Sequence, residues 1–243
     1  MRRAAVVLLF VFESLAWAQS AQPYAQPSTH PITGRKYAGV MGPAGADWLV
    51  RPERESEEQP DLALSLLGIA KGATVADIGA GAGYMTWRLA GLVGPSGKVY
   101  ANDIEPQMLE LLRNNMRQRK LQNVETVLGT FDDPKLPANA LDLVILVDVY
   151  HEFSEPQKML RHIRESLKPD GRLVLLEYRG EDPAVPIRPE HKMTVAQVKA
   201  ELEPEGFRLD RALENLPRQH ILIFKKNSPS AMATMRTQLA GHW

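Results

Sequence analysis

The chain has 243 residues, 44% of them apolar, which suits one α/β domain with a sizeable core and some additional sequence. Its 29 Lys and Arg residues balance its 29 Asp and Glu residues, so no overall basic field favours a nucleic-acid partner. The lack of cysteine excludes disulfides, thiolate metal sites and cysteine nucleophiles, and we predict no metal site.

The first 18 residues have the layout of a secretory signal peptide. A basic start, Met1-Arg2-Arg3, precedes the apolar run 4–12, and Ala16-Trp17-Ala18 supplies the small residues that a signal peptidase reads. The apolar run is too short to cross a bilayer, so we expect no stable membrane span. These features predict cleavage after residue 18 and export to the periplasm or the medium. The alternative is a true start downstream, with Met41 as the candidate, and a cytoplasmic protein.

Two segments precede the repeating part of the sequence. Residues 19–47 are rich in Gln, Pro, Ser, Gly and Ala, which predicts an irregular, poorly ordered lead-in before a domain over residues 48–226. Trp48 to Glu55 is either a lid over a site or a solvated charged face. Apolar residues within 61–69 predict a short helix that ends near Gly68.

From residue 74 onward, predicted strands and helices alternate. Apolar runs predict strands over 74–78, 98–104, 124–128, 141–149 and 172–178. Helices are predicted over 84–92, 106–120, 155–167 and 194–203, and a turn over 168–171. The last two runs, 207–213 and 220–226, are joined too closely for a crossover and must pair antiparallel. The pattern predicts a seven-stranded, mostly parallel α/β sheet with helices on both faces, followed by a tail over 227–243.

The end of the first predicted strand carries an acid and three alternating glycines, Asp77-Ile78-Gly79-Ala80-Gly81-Ala82-Gly83. Glycines let the backbone turn tightly and approach a ligand closely. A dinucleotide fingerprint needs its third glycine one residue later, where this chain has Tyr84. Asp103 ends the second strand, where a carboxylate accepts hydrogen bonds from both ribose hydroxyls. The alternatives are an ordinary glycine-rich turn and an Asp103 that caps the helix opening at Pro106.

An acid directly before G-x-G-x-G resembles motif I of the class I S-adenosylmethionine-dependent methyltransferases. The terminal hairpin is similar to that family too, because an ordinary dinucleotide fold would end in a sixth parallel strand. The resemblance covers about residues 60–226. It implies a Rossmann-like sheet of order 3-2-1-4-5-7-6 with an antiparallel seventh strand, and S-adenosyl-L-methionine as the cofactor. Within the family the chain looks closest to the ubiquinone and menaquinone C-methyltransferases, which implies a small-molecule acceptor.

The resemblance also implies the cofactor contacts. Asp77 with Gly79, Gly81 and Gly83 would meet the methionine part, Asp103 the ribose, and Ile104 the adenine ring. For the adenine amine we select Asp132, although the family's acid usually follows directly after a glycine and here stands two positions further along. The alternative is that Asp132 only forms a turn before Pro134.

The end of the fourth strand carries the predicted catalytic residues, Asp148, Tyr150, His151 and Glu152. The carboxyl end of a central strand is where ligands lie in open α/β sheets, and the family's corresponding motif lies against the methionine and the methyl group. His151 or Asp148 is a candidate base, Glu152 would hold a substrate amine or a charge near the sulfonium, and Tyr150 would stack on a ligand. The alternative is that His151 and Glu152 cap the next helix.

Two further stretches are candidates for the substrate side, namely the loop 189–193 and the strand end Glu177-Tyr178-Arg179. The sequence therefore predicts methyl transfer from S-adenosylmethionine to an unidentified, small acceptor, in an unknown oligomeric state. One alternative is a nicotinamide-dependent oxidoreductase on a related sheet. Another is a non-catalytic cofactor-binding protein of the envelope, since the cofactor is made in the cytosol and the leader predicts export.

Overall fold

A computed structural model describes residues 28–227 of the protein. The predicted signal peptide, residues 1–18, and the tail beyond residue 227 lie outside the described residues. Eight strands form one sheet: β1 (Thr74–Ile78), β2 (Lys98–Asp103), β3 (Val124–Leu128), β4 (Leu141–Val147), β5 (Leu167–Arg179), β6 (Lys192–Met193), β7 (Phe207–Leu213) and β8 (Gln219–Lys226).

The main path of the sheet runs β3-β2-β1-β4-β5-β8-β7, and β8 pairs antiparallel with both β5 and β7. The predicted order and the reversed last strand are therefore confirmed. The two-residue strand β6, which pairs with the end of β5, was missed because so short a segment carries no readable pattern. The turn predicted over 168–171 lies inside β5, at an irregularity in the pairing with β4: Leu141 pairs with Leu167, whereas Leu143 pairs with Arg172.

Seven α-helices surround the sheet in the described range 28–227: α1 (Ala46–Leu49), α2 (Arg54–Glu58), α3 (Pro60–Leu67), α4 (Thr86–Val93), α5 (Pro106–Gln118), α6 (Pro156–Ser166) and α7 (Val195–Leu202). The helix α3 ends at Gly68, as predicted, and this glycine has a left-handed conformation. Short 3₁₀ helices span Tyr150–Glu152 and Pro189–His191. These two turns lie at the carboxyl edge of the sheet and become important at the site.

The core has two layers, one on each face of the sheet. Val144 and Leu146 of β4 pack with Leu160 of α6 and Leu202 of α7 on one face. The alternate residues of β4, with Leu64 of α3 and Leu89 of α4, form the layer on the other face. A strand buried on both faces reads as a continuous apolar run, as β4 does. The predicted helices on both faces are thereby confirmed.

The described part of the lead-in, residues 28–47, packs on the domain. Arg35 is buried, and its guanidinium donates to the Glu201 carboxylate over 2.9 Å and to the main-chain carbonyl of His151 over 2.9 Å. This segment therefore fixes the backbone just after β4. In residues 28–227, no helix has the length and apolar character that crossing a membrane requires.

Candidate active site

A cavity of about 520 Å³ opens at the carboxyl ends of β1, β2 and β4. This volume lies within the range of small-molecule sites, roughly 300–1,000 Å³. Its wall includes Asp77, Gly79, Gly81, Asp103, Ile104, Asp148, His151 and Glu152. The structure thus brings together eight of the predicted site residues from three separate stretches of chain.

The glycine loop lies against this cavity in a backbone conformation that requires glycine. Gly79 has φ +69°, and a Cβ there would lie 2.5 Å from Cγ2 of Val149. Gly83 has φ +90°, but a Cβ there would meet Leu112 of α5 at 3.0 Å. Gly79 and Gly81 line the cavity and leave room for the side chains of Val149 and Leu49, whereas Gly83 permits close packing of α5 and does not line the cavity.

Two carboxylates flank the loop. One oxygen of Asp103 accepts from the Gly81 amide over 2.8 Å and the other from the Glu105 amide over 2.9 Å, so the side chain is held in place. Asp77 accepts from the Thr86 hydroxyl over 2.6 Å. Burial raises the pKa of Asp77 to about 7, and the charge of Asp103 adds to the shift. Burial also raises the pKa of Asp103, although the backbone N–H groups that donate to its carboxylate act to lower that pKa.

Asp148 follows β4 in a strained conformation, with φ +55°. Both of its carboxylate oxygens accept from the Gln219 side-chain amide, at 2.9 and 2.8 Å. Burial raises the pKa of Asp148 well above its ordinary value, and the negative charges of Glu58 and Glu177 add to the rise. Asp148 is therefore an acid in the wall of the cavity whose position is fixed by Gln219 and whose ionised form is disfavoured by desolvation.

The next turn presents a histidine pair. Nδ1 of His151 lies 2.6 Å from Oε2 of the fully buried Glu177, and its Nε2 lies 3.1 Å from Nδ1 of His191. Burial lowers the pKa of His151, but the Glu177 carboxylate outweighs it, so the net shift is upward. Burial also raises the pKa of Glu152 to about 7. The contact between His151 and His191 brings two loops that are 40 residues apart in the sequence together at one wall of the cavity.

Two predicted side chains lie elsewhere. Tyr150 is fully buried in the core against Phe153, so the predicted stacking on a ligand is corrected. Asp132 does not line the cavity either, since its carboxylate accepts from the Thr130 hydroxyl over 2.7 Å within a turn. Thr130 and Phe131 line the cavity in its place. The geometry therefore agrees with the alternative that Asp132 only forms a turn.

The segment of α1 and α2 borders the cavity with Trp48, Leu49, Arg51, Arg54 and Glu58. The Arg51 guanidinium lies 3.7 Å from the centre of the Trp48 ring, which remains about half exposed. Arg54 is buried and paired with Glu58, with a shortest distance of 2.7 Å. The stretch is therefore a wall of the cavity rather than a fully solvated face.

Sequence comparison agrees with the geometry. Residues 69–225 match a family described as methyltransferase domain, which is more than half of the chain. The chain belongs to the methyltransferase family. The resemblance to the class I S-adenosylmethionine-dependent enzymes is confirmed, and S-adenosylmethionine is the cofactor of that class.

Individual relatives support the same assignment. The ubiquinone/menaquinone biosynthesis C-methyltransferase of Hahella chejuensis is 35% identical over 112 residues, 46% of this chain and 45% of the relative. The chain thus spans less than half the length of that curated relative. A methyltransferase from Aquifex aeolicus described as SAM-dependent superposes with a TM-score of 0.72 at 29% identity, covering 76% of this chain and 98% of its own. A type 11 methyltransferase structure from Sulfolobus solfataricus, with a TM-score of 0.59 at 21% identity, shares the fold.

Gln219 and the lead-in residues Val40 and Met41 are parts of the site that the sequence did not indicate. A signal for Gln219 exists in the topology. Since β8 runs antiparallel to β5, its first residue must lie beside the carboxyl end of β5, where Gln219 pairs with Tyr178. No comparable signal marks the lead-in.

Proposed function

We propose that the cavity binds S-adenosylmethionine along the glycine loop and transfers its methyl group to a small-molecule acceptor at the His151 wall. The observation that carries this is the charge of the lining. Five carboxylates, Asp77, Asp103, Asp148, Glu152 and Glu58, line the cavity against three arginines, Arg51, Arg54 and Arg188. Arg54 is paired with Glu58, so the acids beside the glycine loop and after β4 remain in excess. Such a lining attracts the cationic sulfonium and ammonium groups of the cofactor and repels the pyrophosphate of a dinucleotide. It therefore supports a methyltransferase over a nicotinamide-dependent oxidoreductase.

The residues divide into two regions. Asp103 would accept from the ribose hydroxyls and Ile104 would pack on the adenine, while Asp77 and the glycine loop would meet the methionine part. Asp148, His151 and Glu152 would surround the methyl group. S-adenosylmethionine would supply an electrophilic methyl group there: the acceptor's electron pair would form a bond to the methyl carbon as the carbon–sulfur bond breaks, and that bonding pair would stay on the sulfur of a neutral thioether. The protein's main contributions are orientation and exclusion of water.

The acceptor class rests on the cavity and on the relatives. A cavity of about 520 Å³ has room for a small molecule beside a cofactor's reactive end, not for a folded polymer. The name of the Hahella chejuensis relative describes a C-methyltransferase of quinone biosynthesis. For this chain we propose only that the acceptor is a small molecule.

Calorimetry with S-adenosylhomocysteine and, separately, with NADH tests the cofactor. Binding of the first and not the second is expected, and the reverse would refute the proposal. Incubation with labelled S-adenosylmethionine and a metabolite extract then tests catalysis. Products heavier by one CH₂ unit support transfer, whereas cofactor binding without transfer to any extract would favour the non-catalytic alternative.

We also propose export, on the basis of the basic start, the apolar run 4–12 and Ala16-Trp17-Ala18. Mass spectrometry of the protein recovered from cells tests it. A mature amino terminus at Gln19 is expected. An intact leader, or a start at Met41, would contradict export.

A further inference from the structure

We propose that His151, Glu152 and His191 form a binding site for a divalent first-row transition metal ion in the wall of the cavity. One donor atom from each residue lies within 4.8 Å of the other two. All three residues line the proposed acceptor end of the cavity, so the inference extends the proposed methyl transfer. It revises the expectation, based on the sequence, that the protein has no metal site.

The spacing of the two imidazoles fits coordination. Nε2 of His151 and Nδ1 of His191 are 3.1 Å apart. Two nitrogens that each lie about 2.0–2.1 Å from one zinc ion are separated by about 2.8–3.4 Å, from an octahedral to a tetrahedral angle. The observed distance lies inside that interval.

Glu177 fixes the orientation of the His151 ring through a contact with Nδ1. Nδ1 of His151 contacts Glu177 Oε2 at 2.6 Å, and the other oxygen of Glu177 accepts from the Tyr150 amide over 2.9 Å. Metal-bound histidines characteristically donate their second nitrogen to a carboxylate, which fixes the tautomer and makes the ligand more basic. Glu177 is fully buried and supplies that partner here. The backbone carbonyl of His151 is held in addition by Arg35.

The donor set indicates the kind of ion. Two imidazoles and one carboxylate suit zinc, iron, manganese or cobalt better than magnesium or calcium, which prefer oxygen ligands. Three protein ligands leave coordination positions open toward the cavity. An ion there would hold an oxygen atom of the acceptor and favour its deprotonated form. The proposal therefore narrows the acceptor to molecules that carry an ionisable or chelating oxygen beside the methylated atom.

The metal role and the base role exclude each other at His151. A nitrogen that donates its lone pair to a metal ion has none left for a proton. The two roles therefore predict different results for metal binding in the absence of cofactor and acceptor. The base role predicts no stoichiometric ion.

The experiment titrates zinc, and cobalt as a spectroscopic probe, into chelator-treated protein without cofactor. One ion per chain is expected, with cobalt giving visible absorption bands typical of nitrogen and oxygen ligands. His191→Ala and Glu152→Gln should each weaken zinc binding at least about tenfold. Glu177→Gln, which keeps the shape of the side chain, should weaken it about 10- to 100-fold by loosening His151.

His162→Ala is the matched control, because His162 is a partly exposed histidine on α6 that pairs with Glu165. Zinc affinity equal to that of the parent is expected for this variant. Binding of S-adenosylhomocysteine by each variant shows whether the fold and the cofactor region are intact. No stoichiometric zinc binding by the parent, or equal affinity in the His191 and His162 variants, would overturn the proposal. Zinc binding without any cofactor binding would leave the metal site standing and refute the proposed methyl transfer.

Discussion

Replacing Asp77 with asparagine should stabilise the ligand-free protein at alkaline pH. Burial raises the pKa of this carboxyl from 3.8 to about 7, so its ionised form is disfavoured in the fold. For an acid with a raised folded pKa, stability is lost as pH rises from the unfolded value to the folded value, and the loss is constant above it. At 1.36 kcal/mol per pKa unit, the loss is roughly 4 kcal/mol at pH 8 and roughly 2 kcal/mol at pH 5.5.

Asparagine keeps an oxygen that accepts from the Thr86 hydroxyl but carries no charge to desolvate. Urea unfolding of Asp77→Asn and the parent at both pH values measures the difference, with Asp170→Asn, an exposed carboxylate, as control. The variant should gain stability, and the gain should be larger at pH 8. A gain that does not grow with pH, or a loss at pH 8, would refute the reasoning. Cofactor affinity should fall in the same variant, as expected where a functional site opposes stability.

Three other substitutions test separate parts of the site. Asp103→Ala should weaken binding of S-adenosylhomocysteine about 10- to 100-fold by calorimetry, since hydrogen bonds from hydroxyls to a charged acceptor are lost, and unchanged affinity would contradict the ribose role. Gln219→Leu should lower the free energy of unfolding by about 1–3 kcal/mol by leaving the Asp148 carboxylate without its amide donor; an unaltered urea midpoint would argue against that bond. Gly79→Ala should destabilise the protein by more than about 1 kcal/mol, because its Cβ would collide with a neighbouring side chain, whereas Gly91→Ala in open space on α4 should not.

The sheet and the cofactor end of the site were predictable because their signals are local. The central strands β1 and β4 are mostly apolar runs, and the glycine loop and Asp103 stand directly at strand ends. The reversed strand β8 followed from a connection too short for a crossover. In each case a property of neighbouring residues determines the structure, so no knowledge of distant contacts was needed.

The acceptor end was less predictable because its contacts join distant parts of the chain. His151 meets His191 across 40 residues, and Asp148 meets Gln219 across 71. Tyr150 was misassigned for a local reason: the left-handed backbone at Asp148 ends the strand and interrupts its alternation. In the 3₁₀ turn that follows, Tyr150 enters the core, whereas His151 and Glu152 line the cavity. The alternation of side chains along a strand does not predict this arrangement.

In the proposed complex, the acids of the lining should favour the cofactor, whose sulfur is cationic, over the product, whose sulfur is uncharged. Asp77 is buried and Asp148 is partly buried, and the ionised forms of both acids are disfavoured in the ligand-free protein. A cation placed among them restores the charge balance that burial removed, so the sulfonium and the acids stabilise each other. Methyl transfer turns the sulfonium into a neutral thioether and removes that stabilisation. We therefore expect the burial that lowers the stability of the ligand-free protein to favour binding of the cofactor over binding of its product.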